Sequence, residues 1–122
     1  MQLRGVAPIL NVSDMGESFA WFEKLGWEKA WDWGDPPDFG SVCSGESQIF
    51  LCENGQGGRG AAGVWLCIGV EDVDAVHRRC VEQRLDVAQP PEDMPWNLRE
   101  MLVRHPDGHV LRIGQHLPET GE

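Results

Sequence analysis

Apolar residues recur along this chain with strand and helix periods in alternation, and the switches between the two mark its elements. Residues 6–12, Val-Ala-Pro-Ile-Leu-Asn-Val, predict a short strand in which Pro8 suits an edge or a crossing segment. Ser13 and Asp14 then cap a helix, with Glu17 three residues beyond Asp14 as in a capping box. Met15, Phe19, Phe22 and Leu25 follow at helical spacing, and Gly26 closes the helix. Residues 27–33 predict a second strand, where strict alternation puts Trp27, Lys29, Trp31 and Trp33 on one face. Beyond a loop at 35–38, residues 39–43 and 48–52 read as a hairpin around Ser44-Gly45-Glu46-Ser47. The connector at 53–63 holds five glycines and predicts a flexible link.

The pattern then starts again. Residues 64–70 predict a strand, and Glu71-Asp72-Val73 opens a helix to about residue 83. A shift of 58 positions lays Val12 on Val70, Asp14 on Asp72 and Met15 on Val73. A shift of 62 lays Gly45 on Asp107, Ile49 on Leu111 and Leu51 on Ile113. This is an internal duplication of strand, helix and three strands, with modules at 4–55 and 63–117. The second module ends in a hairpin around Pro106-Asp107-Gly108. With a turn of two or four residues, Arg99, Met101 and Val103 share a face with Val110 and Arg112, while Leu102, Leu111 and Ile113 share the other. The expected architecture is α+β, two βαβββ modules forming a curved, mixed eight-stranded sheet with helices on its outer face.

At 122 residues the whole chain, 1–122, has the length of one domain. A hydrophobic content of 41% with 25% charged residues is that of an ordinary soluble protein. No apolar run is long enough to span a membrane, and Met1-Gln2-Leu3-Arg4 lacks the apolar core of a signal peptide, so a cytoplasmic location is expected. The net charge of −10 opposes nucleic acid and suits a cationic ligand. Cys43, Cys52, Cys67 and Cys80 have no zinc or redox spacing and read as reduced, buried thiols.

Val12-x-Asp14 before a helix ending Phe22-Glu23-Lys24-Leu25-Gly26-Trp27 resembles the vicinal oxygen chelate superfamily. So does the ending Arg99-Glu100-Met101-x-Val103-x-His105-Pro106-Asp107-Gly108-x-x-x-Arg112. That superfamily includes glyoxalase I, extradiol dioxygenases, fosfomycin-resistance enzymes and bleomycin-resistance proteins, and the resemblance spans about residues 4–117. It implies metal ligands seven residues before the Asp of each module's first strand, and on the returning strand of each hairpin. Those positions are Ala7, Trp65, Phe50 and Arg112. Two aromatic rings, a methyl group and a permanent cation do not bind a divalent ion, so no metal or other cofactor is expected. His105 and His109, four apart across the turn, are the one unconventional ligand pair; all four histidines otherwise read as surface residues. No serine has a nucleophile's setting.

What remains is a cup with aromatic walls. The expected ligand-binding residues are Trp31, Trp33, Phe39, Phe50, Trp65, Trp96, Met101 and Arg112, with Asp32, Asp35, Asp38, Glu92 and Asp93 as an acidic rim. Arg112 would orient a ligand or pair with Glu100 or a ligand carboxylate. The resemblance is nearest to the bleomycin-resistance branch, which implies a homodimer with its ligand grooves between subunits and binding without turnover. The expectation is a small-molecule binder for an aromatic, or aromatic and cationic, antibiotic. The alternatives are a metal-dependent glyoxalase- or dioxygenase-type enzyme using His105 and His109, and a metabolite-binding paralogue.

Overall fold

The computed structural model describes residues 1–118. The chain runs β1 (Ile9–Val12), α1 (Met15–Leu25), β2 (Glu28–Gly34), β3 (Pro37–Ser44) and β4 (Ser47–Glu53), then β5 (Trp65–Gly69), α2 (Val73–Glu82), β6 (Asp86–Asp93), β7 (Leu98–Arg104) and β8 (Val110–His116). A short 3-10 turn, Gly60–Ala62, interrupts the glycine-rich connector. The fold is α+β, and strand, helix and three strands occur twice in the same order. Hydrogen bonding stays within each repeat and gives two four-stranded sheets, β1-β4-β3-β2 and β5-β8-β7-β6. In each, the first strand runs parallel to the last and the remaining pairs are antiparallel. β1 is an edge strand, as Pro8 suggested.

Both helices start on the aspartates that the duplication aligned. The Asp14 carboxylate accepts the Glu17 N–H at 2.8 Å, and the Asp72 carboxylate accepts the Ala75 N–H at 3.1 Å. Gly26 ends α1 at φ 107°, where a Cβ would be strained. One core joins the two repeats. It is built from Leu10, Val12, Phe19, Phe22, Val42 and Leu51 on one side and Val73, Met101, Val103, Leu111 and Ile113 on the other. The helices meet through Arg79, which donates to the carbonyls of Lys24 (2.7 Å) and Glu23 (3.2 Å) at the end of α1.

Two facial assignments change. The turn between β7 and β8 has three residues, Pro106 to Gly108, because the His105 N–H donates to the His109 carbonyl at 2.8 Å and Gly108 takes φ 90°. An odd turn length shifts the pairing by one and exchanges the faces of β7. Met101 therefore sits opposite Ile113 and Val103 opposite Leu111, all under the helices, while Leu102 sits opposite Arg112. In β2 a bulge between Lys29 and Trp31 breaks the alternation. Lys29 pairs with Val42 on the helix side and lies 4.9 Å over the Phe19 ring. Trp31 and Trp33 pair with Ser41 and Phe39 on the open side, and Trp27 packs on Phe22 with ring centroids 5.8 Å apart.

Candidate functional site

The eight expected ligand-binding residues fall into two groups and one exception. On the open face of the first sheet, Trp31, Phe39 and Phe50 form a triangle with ring centroids 5.5–5.7 Å apart, and Trp33 stands beside it 70% exposed. On the open face of the second sheet lie Trp65, Trp96 and Arg112. No aromatic contact among the described residues joins the two groups. Met101 is the exception: it is fully buried in the core, because the three-residue turn faces it toward α2.

The second face carries the more specific chemistry. Arg112 forks onto Glu100, with Nε 2.9 Å from Oε2 and Nη2 2.9 Å from Oε1. The Trp96 indole N–H donates to the same Oε1 at 3.0 Å, and the guanidinium lies 5.5 Å from the Trp96 ring centroid. The Arg112 guanidinium, and secondarily the Trp96 donor, hold the Glu100 carboxyl below its usual value against the opposing effect of burial. Glu100 therefore stays ionised while only 5% exposed. Arg112 borders an open groove of about 750 Å³ that also touches Ile68, Val70, Trp96 and Leu98, and a notch of about 230 Å³ under Trp65 and Trp96. Of the expected acidic rim, Asp32 is held by Lys29 and Asp93 by Arg99, which also grips Asp74 on α2.

The four positions implied for metal ligands are not brought together. Ala7 and Phe50 line a groove of about 840 Å³ beside β5, while Trp65 and Arg112 line the notch on the other sheet. Neither their side chains nor any cluster of three His, Cys, Asp or Glu among the described residues fits a divalent cation.

His105 and His109 are not surface residues. Both are essentially fully buried where the hairpin tip meets the first repeat. His105 Nδ1 accepts the Asp107 N–H at 3.0 Å, which leaves its proton on Nε2, 3.2 Å from Ser18 Oγ. His109 Nδ1 accepts the Val64 N–H at 3.0 Å, and its Nε2–H donates to the Asn11 carbonyl at 2.8 Å. Burial, with His109 beside it, pushes the His105 imidazole down to about 4. The thiols also divide: Cys52 and Cys80 are buried and burial pushes Cys80 up to about 11, but Cys67 is exposed opposite Arg112.

Comparison with known proteins agrees with this architecture. The family model of the Glyoxalase/Bleomycin resistance protein/Dioxygenase superfamily matches residues 5–113. Among solved structures, TioX from Micromonospora sp. ML1 superposes with TM-score 0.80 at 23% identity, over 93% of this chain and 100% of that one. A bleomycin-binding protein complexed with bleomycin gives TM-score 0.76 at 19% identity, over 93% and 99%. The bleomycin resistance determinant encoded on transposon Tn5 gives 0.79 at 19%, over 93% and 98%. At these identities the likeness is one of fold. A comparison with curated proteins finds no match. The family model covers nearly all of both repeats, and on that ground the chain belongs to the glyoxalase/bleomycin resistance protein/dioxygenase superfamily.

Proposed function

We propose that the protein is a metal-free cytoplasmic binder that sequesters an aromatic, or aromatic and cationic, antibiotic-like molecule. Its groove is lined by Trp31, Trp33, Phe39, Phe50, Trp65, Trp96 and Arg112 and is completed by a second copy of the chain. The observation that carries this reading is the inward position of the last hairpin. There a guanidinium locked to Glu100 stands beside an exposed indole, where a metal site needs a neutral or anionic donor. Two of the similar structures are a bleomycin-binding protein and a bleomycin resistance determinant, which favours a binder over a catalyst. The enzyme alternative relies on His105 and His109, whose four ring nitrogens are all engaged inside the fold.

Titration of the tryptophan emission with bleomycin-type glycopeptides and planar peptide antibiotics tests the proposal. At least one is expected to quench it with a dissociation constant below about 100 µM, roughly −5.5 kcal/mol. An untouched emission across the panel removes the antibiotic reading. Elemental analysis of untagged protein addresses the alternative, which a stoichiometric divalent metal would restore.

A further inference from the structure

The ends of α1 and α2 meet the start of β6 and the end of β7 around a cleft of about 300 Å³, which none of the aromatic residues of the open faces lines. Lys24, Arg84 and Arg104 border it, with Asp86 as its one acidic group. A chain with 20 acidic and 10 basic side chains thus gathers three of its cations at one small opening. Asp86 takes only Arg104 Nη1, at 3.2 Å in an exposed pair that a ligand can displace. Neither Lys24 nor Arg84 forms an ion pair among the described residues. His105 also borders the cleft, but with its imidazole pushed down to about 4 it adds no charge at pH 7. Three cations against one carboxylate leave a net charge of +2. The carbonyl ends of the two helices oppose an anion here. Arg79 already covers those of Glu23 and Lys24 on α1, and the Arg84 and Leu85 N–H groups take those of Val81 and Cys80 on α2.

Two details point to a ligand. The shift of 58 positions that aligns the repeats lays Gly26 on Arg84. Both end their helix by the same cap: Trp27 N–H donates to the Phe22 carbonyl at 2.9 Å, and Leu85 N–H to the Cys80 carbonyl at 2.9 Å. The cap needs a left-handed residue, φ 107° at Gly26 and 59° at Arg84. Glycine takes that conformation freely and arginine does not, so the second repeat carries a cation at a strained position on the cleft. The other detail is Trp21. Every side-chain nitrogen or oxygen sealed from solvent among the described residues has a hydrogen-bond partner. The Trp21 indole N–H has none among them, so it opens to solvent although the residue is only 7% exposed, and the cleft is the opening that Trp21 lines.

These donors select an anion by charge and shape. A phosphate monoester carries about −1.5 to −2 at pH 7 and three acceptor oxygens, against one charge and two oxygens for a carboxylate. A long polyanion would run onto the surface of a chain with net charge −10. The volume lies at the lower end of the range for small-molecule sites, about 300–1,000 Å³, which leaves room for a small body beside the phosphate. We infer that this cleft binds a metabolite-sized phosphate monoester, its dianion among Lys24, Arg84 and Arg104 and one oxygen on the Trp21 indole N–H.

The test follows the six indole N–H signals of the ¹⁵N-labelled full chain, with Trp21 assigned from Trp21→Phe. Glycerol 3-phosphate, inorganic phosphate and glycerate are titrated at fixed ionic strength, because salt screens exposed contacts. Glycerol 3-phosphate is expected to move the Trp21 signal to saturation with a dissociation constant of about 1 mM. Glycerate is expected to bind about tenfold more weakly for want of the second charge, and inorganic phosphate, which has no body to place, in between. Arg84→Gly separates function from structure. Glycine relaxes the cap, so the thermal midpoint is expected at or above the parent's while the affinity for glycerol 3-phosphate falls about tenfold. An arginine with only a structural role would give the reverse, a lower midpoint and unchanged affinity, and overturn the inference. Lys24→Gln, an exposed substitution, is expected to weaken binding in the same way. A Trp21 signal that no probe moves at about 20 mM overturns the inference. So does glycerate or inorganic phosphate that matches the ester, or an affinity that survives both variants.

Discussion

Arg112 shows how one side chain's surroundings set the outcome of its replacement. Its guanidinium neutralises a carboxylate that is 5% exposed, so removing it strands a charge. Arg112→Met alone is expected to cost about 1–3 kcal/mol, the range for an unsatisfied buried group. Arg112→Met combined with Glu100→Met is expected to be nearly neutral, because apolar groups of like shape replace a pair that barely repays its desolvation. Urea unfolding of the two variants and the parent reads the difference directly. Gly40 gives a second, independent case. A Cβ there would lie 2.6 Å from Phe19 Cζ and 2.9 Å from the Trp31 carbonyl oxygen. Since the second contact is with backbone, Gly40→Ala is expected to cost about 1–3 kcal/mol through overpacking, measured the same way. The sequence could mark Arg112 as an inward cation by its place in the duplication. It could not choose Glu100 as the partner, because that choice depends on which face β7 presents.

That face is decided by an element, the three-residue turn, and most of what sequence reading missed lies within one residue of such a parity. The hydrophobic periods placed both helices, their aspartate caps and the strand order of each hairpin, since those follow from local spacing. They could not register the bulge beside Ala30, which sends Lys29 to the helices and Trp31 to solvent, nor the odd turn that buries Met101. The burial of the turn's two histidines has a related cause. Alone, the tip of a hairpin is exposed; here it is covered by α1 and β1 of the other repeat. The tip also carries Asp107, whose carboxylate accepts the Ser13 N–H at 3.0 Å, so the whole turn clasps the two repeats together. His105 makes this clasp sensitive to acid. Its folded pKa of about 4 lies below the ordinary value of 6.5, so the unfolded chain binds the proton more readily. The stability it contributes is complete above about pH 6.5 and falls as pH drops toward 4, by about 3 kcal/mol at most across that window. Urea midpoints at pH 7, 5.5 and 4.5 are expected to decline in the parent. In His105→Gln the protein is expected to start weaker and to decline less over the same range. Equal slopes in the two proteins would show that another group carries the acid sensitivity.

At the scale of the whole molecule the aromatic residues pose a geometric question that one chain does not answer. Trp31, Phe39 and Phe50 face solvent from one sheet, and Trp65, Trp96 and Arg112 from the other, with hydrogen bonding between the sheets absent among the described strands. Neither set alone encloses a drug-sized molecule, for which burial of most of the ligand surface is usual. Under the proposed function, a second copy related by a two-fold axis sets the first sheet of one chain against the second sheet of its partner and creates two equal grooves. Complementation tests this more sharply than a mass measurement. Trp31→Ala/Trp33→Ala disables the first face only, and Trp96→Ala the second face only. Each variant alone is expected to lose quenching by a ligand that binds the parent. When the two are unfolded together and refolded as a mixture, half of the dimers pair unlike chains, and each of these holds one groove with both faces intact. The mixture is therefore expected to recover about a quarter of the parent's binding capacity at the parent's affinity. A groove contained within a single chain would recover none, because every chain in the mixture carries one disabled face.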